Sequence, residues 1–255
     1  MTSERRGWFD RLARMGPAPG FGPELLSPLR EHAPGLWTLE FALVFGGGLP
    51  LPTRTTVVRR ESGGCIVISP PPLGIAGIER ELASLGPISD VIAPSSFHYL
   101  FATAFAERHP DARFWVAPGL RARVPDLPER ARELVDRPAA LADELDLIVF
   151  GPTRGVSEVA IFHTPTRTLV LTDLAFGPIR HASRARAFAW RLFGLPDAFG
   201  TSRSGRLAFL GDRETAQRAL RAISAWPFER VLVAHGEPVE DDAHAAFERA
   251  FSSWL

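Results

Sequence analysis

The chain has 255 residues, of which 45% are hydrophobic and 23% are charged. This composition is typical of a globular protein that is long enough to bury a large core. It carries 29 basic and 29 acidic side chains, and this balance excludes a generally basic nucleic-acid binder and an acidic disordered tail. Its single cysteine, Cys65, excludes an internal disulfide framework and a cysteine-based zinc cluster, and we expect it to be a core residue.

Residues 1–35 are predicted to form an N-terminal leader. Trp8, Phe9, Leu12 and Met15 fall on one face of a short helix that carries several arginines. Such a helix docks onto its parent domain or lies on a membrane surface, and we favour docking because large apolar residues are few. The start of the chain lacks the apolar stretch of a secretory signal, and no apolar run reaches about 18 residues. We therefore expect a cytoplasmic protein without a transmembrane segment.

From residue 36 onward, β-rich segments come first and strand–helix alternation follows. In chain order, the strands are predicted at Trp37–Phe45, Thr55–Arg59, Cys65–Ser69, Val91–Ala93, Phe114–Val116, Leu147–Phe150, Glu158–Phe162, Thr168–Leu171 and Val231–Val233. The helices are predicted at Ile78–Leu85, Tyr99–Arg108, Ala182–Phe193, Arg213–Ala225 and Asp241–Trp254. This order predicts an α/β sandwich with helices outside the sheets, formed by one domain over residues 36–255.

Three polar side chains lie at or just beyond the carboxyl ends of apolar strands. His98 follows one strand by a short loop, Asp173 ends a second strand, and His235 ends a third and precedes a glycine. In α/β folds these ends gather at one rim, where sites form. Two imidazoles and a carboxylate suit a divalent transition metal, although each residue alone is more often structural.

At these strand ends the sequence resembles the metallo-β-lactamase-fold superfamily over roughly residues 36–254. The family loop T-H-x-H-x-D-H corresponds to Ser95–Phe101, in which only His98 matches, and the loop G-H-T-x-G corresponds to Gly151–Gly155 with proline at the histidine position. The strand-end G-D corresponds to Thr172-Asp173, and the final G-H-G to Ala234–Gly236. The chain is thus similar to a little-characterised branch with degenerate metal-binding motifs.

The resemblance implies a four-layer αββα sandwich and a reduced set of metal ligands. The family holds two metal ions, but here Ser96, Leu100 and Phe101 stand where a histidine, an aspartate and a second histidine belong. A di-zinc centre is therefore not expected. The resemblance leaves open one zinc or other divalent ion, held by His98, Asp173 and His235, or no metal at all.

The function implied is that of a hydrolase with an eroded site, in which Asp173 is the catalytic residue and the substrate is an ester, amide or phosphoester. The alternative is a binding module or pseudoenzyme that keeps the fold without metal. A third hypothesis is an interaction protein that docks through its leader and the Arg-rich segment 177–211. His163 and Tyr99 are less favoured as a ligand and a substrate contact.

The expected partner is a small molecule rather than nucleic acid. The Arg-rich segment 177–211 would suit an anionic substrate if it covers the site. We favour the simpler interpretation that it contains a solvated helix whose arginines pair with neighbouring acidic residues.

Overall fold

The computed structural model of the protein describes residues 24–45, 49–75, 77–135, 138–153, 155–179, 184–192 and 194–255. Its first sheet has seven strands, which lie side by side in chain order. These strands are β1 (Glu24–Ala33), β2 (Leu36–Phe45), β3 (Leu49–Arg59), β4 (Cys65–Ile68), β5 (Ile88–Ala93), β6 (Arg113–Val116) and β7 (Arg132–Glu133). Neighbours from β1 to β4 are antiparallel, whereas neighbours from β4 to β7 are parallel.

The change from antiparallel to parallel pairing follows from the connections. A short turn joins β3 to β4, and it contains Gly63 and Gly64, both with positive φ. A turn this short can join only strands that run antiparallel. Parallel neighbours need longer crossovers. Three helices serve as these crossovers: α1 (Ile78–Leu85), α2 (Ala102–Arg108) and α3 (Leu120–Arg123).

The second sheet has four strands in the spatial order β11-β10-β9-β8. They are β8 (Leu145–Thr153), β9 (Val156–His163), β10 (Thr168–Leu171) and β11 (Arg230–Val233). β8, β9 and β10 form an antiparallel meander, and β11 lies parallel to β10. The helices α4 (Arg184–Leu192), α5 (Arg203–Phe209) and α6 (Arg213–Ser224) connect β10 to β11, and α7 (Ala243–Phe251) follows β11.

The two sheets pack face to face, with helices on the outer face of each. Ile66 and Ile92 of the first sheet share one buried cluster with Ile161, Val170 and Leu232 of the second. The helices α1 and α2 pack on the other face of the first sheet, and α5, α6 and α7 pack on the other face of the second. The predicted four-layer αββα sandwich is confirmed. Because both faces of the central strands are covered, these strands are mostly apolar.

The structure adds four elements that the sequence pattern did not predict, namely β1, α3, α5 and β7. β1 lies within the segment 1–35 that was assigned to a leader, and it pairs with β2 as the edge of the first sheet. The helix predicted earlier in that segment lies outside the described residues. Cys65 is buried, as expected. Among the described helices, none is both long enough and apolar enough to cross a bilayer.

Candidate metal centre

Three of the predicted residues meet at the carboxyl ends of β5, β10 and β11. His98 lies in the loop after β5, whereas Asp173 and His235 each lie two residues beyond the end of their strand. The Nε2 atoms of the two histidines are 3.1 Å apart. Asp173 Oδ1 lies 3.6 Å from His98 Nε2 and 3.7 Å from His235 Nε2. Within the described part of the chain, this is the one group of three or more His, Cys, Asp or Glu side chains close enough to share an ion.

The three separations match those of ligands around one tetrahedral ion. Donor atoms that lie 2.0–2.1 Å from a tetrahedral zinc ion are about 3.3–3.4 Å apart. The observed 3.1, 3.6 and 3.7 Å lie on both sides of this value. Small side-chain rotations would bring all three atoms to bonding distance of one central point, which leaves the fourth tetrahedral position for a water molecule or a substrate.

The outward nitrogen of each imidazole is hydrogen-bonded to a residue on, or directly after, a strand of the first sheet. His235 Nδ1 lies 2.8 Å from the carbonyl oxygen of Pro52 on β3, and since a carbonyl oxygen only accepts, Nδ1 carries the hydrogen. Neutral His235 therefore presents a lone pair on Nε2 to the cluster. His98 Nδ1 is hydrogen-bonded to the Ser69 hydroxyl, and Phe176 stacks on the His235 ring at 5.1 Å between centroids. Contacts of this kind fix the direction of metal-binding imidazoles.

Ser95 links the loop that carries His98 to Asp173. Its hydroxyl donates to Asp173 Oδ2 at 2.7 Å and accepts from the backbone N–H groups of Phe97 and His98 at 3.2 and 3.1 Å. One carboxylate oxygen of Asp173 is thereby occupied, while Oδ1 faces the two imidazoles.

A second carboxylate, Glu158 of β9, lies fully buried behind Asp173. It accepts the backbone N–H groups of Thr172, Asp173 and Leu174 at 2.7, 2.7 and 2.8 Å. Burial and the nearby negative charge of Asp173 raise the pKa of Glu158 to about 7. A cation bound nearby would favour the charged form of this buried carboxyl group.

The electrostatics of the three converging residues are coupled. Burial opposes the charged form of Asp173, but His98 and His235 outweigh it and hold the pKa of that carboxyl well below its usual range. Burial also opposes protonation of His98, yet the charge of Asp173 raises its pKa. For His235 burial prevails, and its pKa is lowered. Of the two imidazoles, His98 is therefore the one that takes up a proton more readily.

The positions where the family places further ligands are occupied by side chains with other contacts. The Ser96 hydroxyl accepts from Ser157 N at 2.9 Å and lies 3.3 Å from Ser157 Oγ, so it anchors the β8–β9 hairpin. Leu100 is 43% exposed, and Phe101 packs edge-on against Phe41 with ring centroids 5.9 Å apart. The side chain of Pro152 lies outside the described ones.

The less favoured candidates lie elsewhere. His163 ends β9, and its Nδ1 lies 2.6 Å from Thr166 Oγ1. Burial alone lowers the pKa of His163 to about 4. Tyr99 packs against the core on the helical side of the first sheet. In the Arg-rich segment, Arg191 pairs with Asp197 at 2.7 Å, in keeping with a solvated helix.

Sequence reasoning missed Ser95 and Glu158 as parts of the site, and also the Pro52 carbonyl. One signal was available for Glu158, because it is the one charged residue in the mostly apolar segment 156–162. A carboxylate inside a strand that is buried on both faces needs donors close by. Nothing in the sequence distinguishes the carbonyl of Pro52 from that of any other residue.

With this geometry established, comparison with known proteins identifies the family. The sequence pattern of a domain of unknown function, DUF4336, matches residues 35–181, which is more than half of the chain. The chain belongs to the DUF4336 family. The matched region includes His98 and Asp173 of the cluster, and His235 lies beyond it. No curated protein sequence matches this chain.

Solved structures show which fold this DUF4336 protein has. A fragment of a protein described as a diflavin flavoprotein from Nostoc sp. PCC 7120 is 14% identical, with a TM-score of 0.61 over 91% of this chain and 96% of that one. A metallo-β-lactamase from Pontibacter korlensis is 11% identical, with a TM-score of 0.59 over 88% and 98%. The mono-zinc form of the metallo-β-lactamase FIM-1 from Pseudomonas aeruginosa is 13% identical, with a TM-score of 0.54 over 88% and 94%. The DUF4336 chain therefore has the metallo-β-lactamase fold, as predicted.

Proposed function

We propose that the protein is a hydrolase that holds one divalent metal ion, with zinc the best candidate, between His98, Asp173 and His235. The observation that carries this proposal is the set of separations between His98 Nε2, His235 Nε2 and Asp173 Oδ1, which are 3.1, 3.6 and 3.7 Å. Two nitrogen donors, one carboxylate oxygen and an open fourth position are typical of catalytic zinc sites.

The residues present fit such an ion in charge as well as in geometry. Glu158 and Asp173 place two carboxylates in the interior of the protein. Among the described residues, the basic side chains that face them are His98 and His235. If both histidines are neutral, as metal binding requires, a divalent cation balances the two carboxylates.

The proposal assigns one ion rather than two, because the ligands of a second ion are missing. The Ser96 hydroxyl is committed to the β8–β9 hairpin. Leu100 and Phe101 have no atoms that coordinate a metal. This agrees with the eroded motif that the sequence indicates.

Each residue of the site then has a task in hydrolysis. A divalent cation, when bound, would lower the pKa of water and polarise the carbonyl or phosphoryl group of an ester, amide or phosphoester. Ser69 and the Pro52 carbonyl keep both imidazoles directed at the cluster. Asp173 Oδ1 faces the same point and would be the third ligand, while Ser95 donates to the second carboxylate oxygen, Oδ2.

The test combines zinc binding with turnover in the chelator-treated full chain. We expect zinc at 100 times its Kd to raise the free energy of unfolding by about 2.7 kcal/mol. We also expect p-nitrophenyl acetate, bis-p-nitrophenyl phosphate or nitrocefin to be hydrolysed only after zinc is added. The double variant His235→Ala/Asp173→Ala should lose both effects.

His109→Gln is the matched control, because this histidine follows α2 and lies outside the cluster. It should bind zinc as the wild type does. Equal zinc stabilisation of the double variant and the wild type would contradict the ligand assignment. Zinc binding without turnover of any ester, amide or phosphoester would contradict the hydrolase.

One observation favours a second candidate, a metal-free binding module. If His98 is protonated, its Nε2–H donates to His235 Nε2 at 3.1 Å while its charge faces Asp173 Oδ1 at 3.6 Å. The cluster then satisfies its own hydrogen bonds and needs no ion. The zinc titration above separates the two candidates, because this closed arrangement predicts no stabilisation by zinc.

A further inference from the structure

Glu158 occupies an unusual place for a carboxylate, because it lies on a central strand of the second sheet and is 0% exposed. Both of its oxygens are used: Oε1 accepts from Thr172 N, and Oε2 accepts from Asp173 N and Leu174 N. These three donors are consecutive backbone groups that begin where β10 ends. A buried carboxylate that accepts from charge-neutral N–H groups makes strong hydrogen bonds in a fixed direction.

The backbone at Glu158 also holds the loop that carries His98. Ser95 forms an isolated antiparallel bridge with Glu158, and Val159 N donates to Pro94 O at 2.7 Å. The side chain of Glu158 therefore holds the Asp173 loop, and the backbone of its two neighbours in β9, Ser157 and Val159, holds the His98 loop. Two of the three proposed ligands are placed relative to each other through this short segment of β9.

We infer that Glu158 is a positioning residue, which sets the separation between Asp173 and His98 and thereby the affinity and coordination geometry of the bound ion. This inference rests on the proposed function. Glutamine at position 158 keeps the volume but exchanges one acceptor oxygen for an NH₂ group, which would meet a backbone N–H donor. Aspartate keeps the charge, but it is one methylene too short to reach all three N–H groups.

The experiment measures Co²⁺ binding to the chelator-treated full chain by the visible d–d absorption, which reports coordination geometry. We expect Glu158→Gln to weaken Co²⁺ binding by roughly 10- to 100-fold, as loss of residues that orient metal ligands does, and to change the shape of the absorption band. Glu158→Asp should weaken binding similarly, because the reach of the side chain matters in addition to its charge.

Glu144→Gln is the control for a general loss of stability. Glu144 is also a buried carboxylate, but its partner is Arg60, at 3.1 Å, rather than a residue of the cluster. Both glutamine variants should lower the Tm of the metal-free protein, and only Glu158→Gln should alter Co²⁺ affinity and the spectrum. If Glu158→Gln does not fold, Glu158→Asp decides by the same readout.

The possible failures are distinguishable. Wild-type affinity and an unchanged spectrum in a folded Glu158 variant would overturn the positioning role and leave the proposed metal site intact. A wild-type chain that binds no Co²⁺ would overturn the proposed function and the positioning role together. A Glu144→Gln chain that loses Co²⁺ affinity as Glu158→Gln does would show that the effect is one of stability alone.

Discussion

At the level of single residues, the cluster depends on how each imidazole uses its two nitrogen atoms. In both histidines Nδ1 is bound to a group outside the cluster, and Nε2 points inward. The inward nitrogens approach to 3.1 Å, a distance that neutral lone pairs avoid unless a proton or a cation lies between them. The same side chain is thus a ligand or an ordinary hydrogen-bonded group, depending on what occupies this point.

His163 shows the opposite situation, in which a histidine is buried without a charged partner. Burial lowers the pKa of His163 from 6.5 to about 4. Between these pH values His163 is protonated in the unfolded chain but neutral in the folded chain. The free energy of unfolding therefore falls as the pH is lowered through this window. The full effect of His163 is about 3 kcal/mol.

We therefore predict that His163→Gln loses part of the pH dependence of stability between about pH 6.5 and 4. Urea unfolding at several pH values measures this, and the difference between variant and wild type cancels the contributions of other groups. Identical slopes for the two proteins would contradict the account of His163.

At the level of elements, the loops after β10 and β11 are joined where two glycines meet. Gly177 N donates to His235 O, and Glu237 N donates to Pro178 O, both at 2.9 Å. A Cβ atom on Gly236 would lie 2.3 Å from the Gly177 carbonyl oxygen. Any residue other than glycine at position 236 would therefore clash with Gly177. The close contact between the two glycines places the strand ends that carry Asp173 and His235 side by side.

We predict that Gly236→Ala destabilises the protein more than Gly63→Ala does. Both glycines have positive φ, +86° and +90°, but a Cβ atom on Gly63 would meet nothing within 4 Å. Gly63→Ala is the control, because it introduces backbone strain without a clash. We expect the two variants to differ in free energy of unfolding by at least about 2 kcal/mol, and this difference is the effect of the clash. Urea unfolding measures the free energy of unfolding of both variants. Equal losses of stability would contradict the prediction, because they would show that the two loops move apart without cost.

At the level of the whole molecule, local patterns in the sequence predicted a sandwich with helices outside the sheets and three polar residues at strand ends. Short apolar runs that end in polar residues indicate buried strands and their carboxyl ends, and His98, Asp173 and His235 lie at such ends. β1 was missed because it is an edge strand with Pro28 and charged residues in it, and so it lacks the alternation that marks a half-buried strand.

The groups that orient the ligands could not be predicted, because their roles depend on tertiary contacts. Glu158 acts on N–H groups that come 14 to 16 residues later, and these donors are free only because β10 ends at Leu171. Pro52 contributes a carbonyl to His235, 183 residues away. Side-chain patterns contain no information about which backbone groups are left without a partner in the sheet.

The central claim is that the fold holds a single metal ion between three strand ends. The most direct measurement is the number of zinc ions bound per full-length chain, determined by equilibrium dialysis followed by elemental analysis, for the wild type and for His235→Ala/Asp173→Ala. We predict one ion per wild-type chain and none per double-variant chain. Two ions of similar affinity per wild-type chain, or the same zinc content in both proteins, would contradict the account.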